Sequence, residues 1–240
     1  NWFFNEWIYN AGQPEFKVDY TYDESSKEIV LNAKQVQRMD SSSVFKTPVP
    51  IEIITETGRQ SITMETSADV KTYKIKVDSK PLNVNFNKGN KVLCKLYFSK
   101  PKNDWLYQLN NSPDAIDRLT ALNGLKDFLN DDDVINAIKG KMRNDSFWGV
   151  RCEAVKVLST SKNKSVTEVY MKNMIDERDS RVRRTYLLQL GTLLNNHPEE
   201  KENTAVLQYF LTNLIANETS YYSAADAVTA LSDILAVDKI

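Results

Sequence analysis

The chain has 240 residues, 41% hydrophobic and 26% charged, with 31 Lys and Arg against 32 Asp and Glu. This is the composition of a globular protein of one large or two ordinary domains. A net charge of -1 provides no global basic field for nucleic acid, and no apolar run approaches the roughly 18 residues of a membrane span, so a soluble chain is expected, its compartment left open.

The chain opens with NWFFNEWIYNAGQP, in which five of the first nine residues are aromatic. As a helix, this stretch puts Phe3 with Trp7 and Phe4 with Ile8 on one apolar stripe, and Trp2 with Tyr9 on a second side. Gly12 and Pro14 read as its stop. A basic start, an uninterrupted apolar core and a small-residue cleavage site are all lacking, so it is not a secretory signal. Two readings stand: the helix is buried against its own chain, or its partner has been removed. The missing initiator Met fits a processed product or a piece of something longer.

From Glu15 to about Lys100 the pattern has period two. EFKVDYTYD sets Phe16, Val18, Tyr20 and Tyr22 on one face; KEIVLNAKQVQ follows with Ile29, Leu31 and Ala33. VPIEIITETGRQSITMET reads as a hairpin around Glu56-Thr57-Gly58. VKTYKIKVD, PLNVNFN and KVLCKLYFS complete about seven short strands, the last two joined by the turn NKGN. The expectation is an antiparallel β-sandwich with Lys and Thr on its solvent faces.

From about Asn103 the period becomes helical and repeats. SPDAIDRLTALNGL, NDSFWGVRCEAVKVL, ERDSRVRRTYLLQL and NETSYYSAADAVTAL share a form that ends on Leu125, Leu158, Leu190 and Leu231. The intervals of about 33, 32 and 41 residues suit a HEAT-like array of helix pairs. DVINAIKGKMR, SVTEVYMKNMID and NTAVLQYFLTNLIA are the second helices. One pair cannot bury its stripe alone, whereas stacked pairs share a core. Ala121, Ala154 and Ala227 permit close approach, and Tyr186 at the matching place is expected to widen the stack.

Arg118, Arg151 and Arg183 align between repeats. They form either a ladder, each pairing with a neighbouring Asp such as Asp145 or Asp179, or a basic groove joined by Arg181 and Arg184 that holds a carboxylate or phosphate. Phe147-Trp148 reads as core, with Trp148 a candidate recognition aromatic. The single histidine, His197, lies in a polar segment and reads as solvated; one His cannot build a zinc site or a triad. Cys94 and Cys152 read as buried free thiols, and there is no glycine-rich phosphate loop.

The order of parts resembles the zinc aminopeptidases of the alanyl aminopeptidase (gluzincin) family. The resemblance rests on Phe3, Phe4, Trp7, Gly12 and Pro14, then Val18 and Tyr20, then Gln35 and Gln37. It implies residues 1–14 as the last helix of a catalytic domain, 15–101 as the sandwich and 102–240 as the HEAT-like α-helical domain. It also implies that the H-E-x-x-H helix, its downstream Glu and the substrate loop lie in a missing catalytic domain, which carries the zinc. The chain itself then has no catalytic residue, metal ligand or cofactor. Its partners would be that catalytic domain, through Trp2, Phe3, Phe4, Trp7 and Ile8, and peptide substrates, with Arg151, Arg181, Arg184 and Trp148 as candidate contacts. In the family, the sandwich is a spacer and the helical domain limits substrate access. A non-catalytic scaffold with the same architecture is the alternative, and a self-contained sandwich-plus-solenoid adaptor is a third reading.

Overall fold

The computed structural model describes residues 2–9, 11–37, 44–66, 70–198 and 204–237. It divides into two compact units, 1–117 and 118–240, at a point inside a helix.

In the first unit, the period-two segments become β1 (Glu15–Asp23), β2 (Glu28–Gln35), β3 (Thr47–Thr55), β4 (Gly58–Thr66), β5 (Val70–Lys76), β6 (Asn83–Phe86) and β7 (Lys95–Ser99). They form two sheets, ordered β5-β2-β1-β7 and β4-β3-β6. Register follows the apolar alternation: Val18 lies opposite Ala33 and Tyr20 opposite Leu31. A slip of one residue would turn all of these side chains to the wrong face. The inner faces merge in one core of Phe16, Val18, Ile29, Leu31, Val49, Ile51, Ile53, Met64, Val84 and Phe86. The Phe16 and Phe86 rings meet across the sheets at 5.4 Å. β3 and β4 turn through Glu56-Thr57 as the hairpin pattern requires. NKGN does not join neighbouring strands, however. It carries the chain from β6 in one sheet to β7 in the other, and β7 pairs parallel to β1.

Gln35 and Gln37 are buried and substitute for backbone where β2 ends. Gln35 Nε2 donates to the Phe45 carbonyl at 2.8 Å, and Gln35 Oε1 accepts from the Phe45 amide at 2.9 Å. Gln37 Nε2 bonds Gln35 Oε1 at 2.9 Å, and Gln37 Oε1 accepts from the Glu15 amide at 3.2 Å. Buried polar groups need such partners, which is why the Q-x-Q spacing sits on a strand end.

The same unit contains α2 (Lys102–Asn111), fastened by a buried lysine. Lys100, 7% exposed, donates through Nζ to Asn83 Oδ1 at 2.6 Å, Val84 O at 3.1 Å and Gln108 Oε1 at 2.6 Å. Its ammonium lies 4.0 Å from the Trp105 ring centre. Gln108 Nε2 donates to Asp117 O at 2.7 Å, which fixes the amide end that faces Lys100. Burial pulls the Lys100 pKa down to about 7, opposed by Asp104 and Asp117. Asp104, buried, is raised by the same desolvation and accepts a short hydrogen bond from the Tyr20 hydroxyl.

The helical repeats are α3 (Ala115–Gly124), α4 (Asp132–Asn144), α5 (Trp148–Ser159), α6 (Ser165–Asp176), α7 (Ser180–Asn196), α8 (Thr204–Asn217) and α9 (Tyr221–Val237). In the second unit, α5 packs beside α7 and α7 beside α9. Ala154 and Ala227 are fully buried at the helix contacts, and Leu158 and Leu190 fill the core. Tyr186 is buried against Tyr170, ring centres 4.7 Å apart and nearly perpendicular, and the Tyr170 hydroxyl donates to Tyr186 O at 2.9 Å. Two residues depart from expectation. His197 is 1% exposed, not solvated: it ends α7, its amide bonded to Leu193 O and its Nε2 2.9 Å from Ser161 O. Phe147 is not core; it is 39% exposed.

Candidate interaction surface

The opening segment is α1 (Trp2–Phe4), which runs into a wider π turn over Asn5–Tyr9. Gly12 has a φ of 98°, the left-handed conformation that suits glycine after a helix. None of Trp2, Phe3, Phe4 and Ile8 is buried; their exposures are 50, 46, 47 and 60%. Among the described residues, Glu6 and Trp7 tie the segment to the sandwich. Glu6 accepts from the Lys46 amide at 2.8 Å, and the Trp7 ring meets Phe45 at 5.1 Å. Energetics should follow contact: Trp7→Ala is expected to cost about 1–2 kcal/mol of sandwich stability, from half-burying a large apolar side chain. Ile8→Ser, at a side chain 60% exposed, is expected to stay within about 0.5 kcal/mol. Urea denaturation of the two variants checks this.

The arginines fall into two sets. The first is a ladder. Arg118 Nε and Nη2 grip both oxygens of Asp145 at 2.7 and 2.8 Å. Arg151 grips Glu177 at 3.1 and 3.2 Å, and donates through Nη1 to Asp145 O at 2.9 Å. Arg183 grips Glu218 at 2.7 and 2.7 Å, and donates to Glu177 O at 3.1 Å. Each acid also caps its own turn, accepting from the amide two residues on: Phe147, Asp179 and Ser220. Bidentate, charge-assisted bonds of this kind are the strong ones. The rungs are Asp145, Glu177 and Glu218; Asp179 is not a rung. The Arg183 hydrogen bond draws the Glu218 carboxyl below the usual carboxylate range. In the last repeat the arginine position, seven residues before Leu231, is Ala224, so the alternation ends at Glu218.

The second set is exposed. Arg181 bonds Asp179 at 2.7 Å and lies over the half-buried Trp148 ring, 4.1 Å from its centre. Asp179 caps α7 by accepting from the Arg181 amide, and the Arg181 bond lowers its pKa to about 2. Arg184 bonds Asp226 through Nε and lies 5.3 Å from the centre of the Tyr222 ring. Of the residues expected to make contacts, the structure therefore brings Trp148, Arg181 and Arg184 onto one strip across α5, α7 and α9, and puts Arg151 in the ladder. Tyr222 joins the strip unanticipated. Its signal in the sequence was an aromatic pair, Tyr221-Tyr222, opening a helix where the other repeats have Trp148 and Ser180.

Cys94 and Cys152 are both free; Cys152 is buried and Cys94 half-buried, and burial pushes the Cys94 thiol up to about 11. Among the described residues, no group of three or more His, Cys, Asp or Glu could hold a metal ion, and no helix is long and apolar enough to cross a membrane.

The HEAT-repeat family profile matches residues 103–191. No curated protein matches the sequence. Among solved structures, the fold is similar to Legionella pneumophila aminopeptidase A, crystallised in complex with aspartic acid, with a TM-score of 0.61 at 11% identity. The similarity covers 95% of this chain and 32% of that one, so the chain spans about a third of its neighbour's length. At this identity the likeness establishes the β-then-α fold.

Proposed function

We propose that this chain is the sandwich and helical region of a zinc-dependent aminopeptidase, a spacer and cap that shape peptide access to a catalytic domain carried elsewhere. The observation that carries this reading is that the fold of 95% of the chain matches 32% of an aminopeptidase. The exposed Trp2, Phe3, Phe4 and Ile8 support it. An apolar patch this dense at one end is a surface of the kind that a neighbouring domain covers. Zinc, bound in that domain, would polarise the scissile carbonyl and activate water. This chain's own residues would supply the rigid frame through the arginine ladder, and peptide contacts at Trp148, Arg181 and Arg184.

The test is to express the chain together with the segment encoded upstream of it. Stoichiometric zinc, and hydrolysis of aminoacyl chromogenic substrates that a chelator abolishes, are expected of the longer protein and of neither property in the chain alone. An upstream segment without H-E-x-x-H would overturn the enzyme reading. It would favour a scaffold, the reading supported by the HEAT-repeat match and by an open strip on the helical face.

A further inference from the structure

We propose that the strip across α5, α7 and α9 is a docking surface for an extended acidic peptide segment. The inference rests on the peptide contacts proposed above for Trp148, Arg181 and Arg184 and names their ligand; it is tested on this chain alone, so its failure is distinct from a failure of the zinc peptidase reading.

The argument begins from how each guanidinium is committed. An arginine has five N–H donors in a rigid fork. Arg118, Arg151 and Arg183 close their forks on a carboxylate, and their side chains are largely buried, with exposures of 9, 16 and 15%. They are structural and unavailable. Arg184 commits only Nε, to Asp226, and its side chain is 46% exposed; both of its Nη groups are uncommitted. Arg181 commits Nε and one Nη to Asp179, and its side chain is 56% exposed. The remaining donors of both face solvent.

These two guanidinium groups are also held in place. Arg181 lies on Trp148, Arg184 lies on Tyr222, and an aspartate grips each from the side. Stacking on an aromatic face and pairing at one edge fix the plane, so less side-chain entropy is lost when a ligand binds the free edge. Two oriented donor edges, one turn apart on α7 and flanked by rings from α5 and α9, suit carboxylates better than any other common peptide side chain. Asp179 and Asp226 balance the two charges, so what selects a carboxylate is the set of uncommitted N–H donors rather than an excess of positive charge. Tyr222 is 72% exposed and leaves ring surface for a neighbouring apolar residue.

The repeat geometry sets the length. Packed helices lie about 8–10 Å apart. Two intervals, from α5 to α9, are therefore spanned by about five or six residues of extended chain at about 3.3 Å each. The ligand is a short extended segment with acidic residues at its centre.

The probes are three fluorescein-labelled peptides of about ten residues, identical except that the central residues are Glu, Gln or Lys, titrated against the 240-residue chain by fluorescence anisotropy. The Glu peptide should bind, weakening as salt rises. The Gln and Lys peptides should bind at least about tenfold more weakly, the size of one lost charge-assisted bond. Arg184→Gln should weaken the Glu peptide about tenfold with an unchanged melting temperature. Asp226→Asn, which removes the competing carboxylate while keeping the fold, should tighten it. No binding of the Glu peptide, equal binding of the Gln peptide, or undiminished binding to Arg184→Gln would each overturn the proposal. So would weaker binding to Asp226→Asn.

Discussion

Arg118→Ala is expected to destabilise the helical unit by about 3–5 kcal/mol, the range for removing one partner of a buried ion pair. Asp145 is 7% exposed and takes both of its strong bonds from Arg118. Without them it is a desolvated carboxylate whose one remaining donor to the side chain is the Phe147 amide. Its backbone carbonyl also holds Arg151, so a shift at Asp145 reaches the next rung. A loss of this size is a large share of a typical domain stability of about 5–15 kcal/mol. Arg181→Ala is the contrast. Its side chain is 56% exposed and its pair is screened by solvent, so its loss should leave the urea midpoint nearly unchanged. Urea denaturation followed by far-ultraviolet circular dichroism separates the two cases. A cost below about 1 kcal/mol for Arg118→Ala would mean that packing alone holds the repeats.

Lys100→Met is expected to cost the sandwich unit a similar amount, about 3–5 kcal/mol. Methionine fits the volume and keeps contact with Trp105, but it offers no proton to Asn83 Oδ1, Val84 O or Gln108 Oε1. It also removes the positive charge that offsets the buried Asp104. Because Lys100 carries a pKa depressed from 10.5 to about 7, burial of its charge opposes folding at low pH. That opposition is full below pH 7 and fades as pH rises toward 10.5. The wild-type unit should therefore gain stability across that window, and Lys100→Met should lose this gain while keeping its overall deficit at pH 7. Tryptophan fluorescence during denaturation, to which Trp105 beside Lys100 contributes, reports both effects. A variant as stable as wild type at pH 7 would show that the three oxygens find other donors.

The elements were legible because each buries one face. Period two in EFKVDYTYD and the recurring leucines at 125, 158 and 190 are direct traces of a sheet face and a helix stripe. The ladder was half legible. The aligned arginines named one side, and Asp145 was among the partners named. Glu177 and Glu218 were not, because reach and rotamer choose an acid, and both a Glu and an Asp stand at the start of α7. His197 misled because a polar neighbourhood in sequence says nothing about which helix ends close over it. The parallel pairing of β1 and β7 was invisible for a related reason: local alternation reports which face is buried, not which strand lies alongside.

The candidate strip divides the same way. Trp148, Arg181 and Arg184 stood out as charge and aromatic content near repeat starts, whereas Tyr222 entered only through its contact with Arg184. By itself, the sequence determined the strand series, the helical repeat and the want of a local zinc motif, since periodicity and residue inventory are properties of the chain alone. The tertiary structure decided which arginines are spent on structure and which face solvent. That division depends on the distance between side chains 26 to 42 positions apart, and only packing sets it.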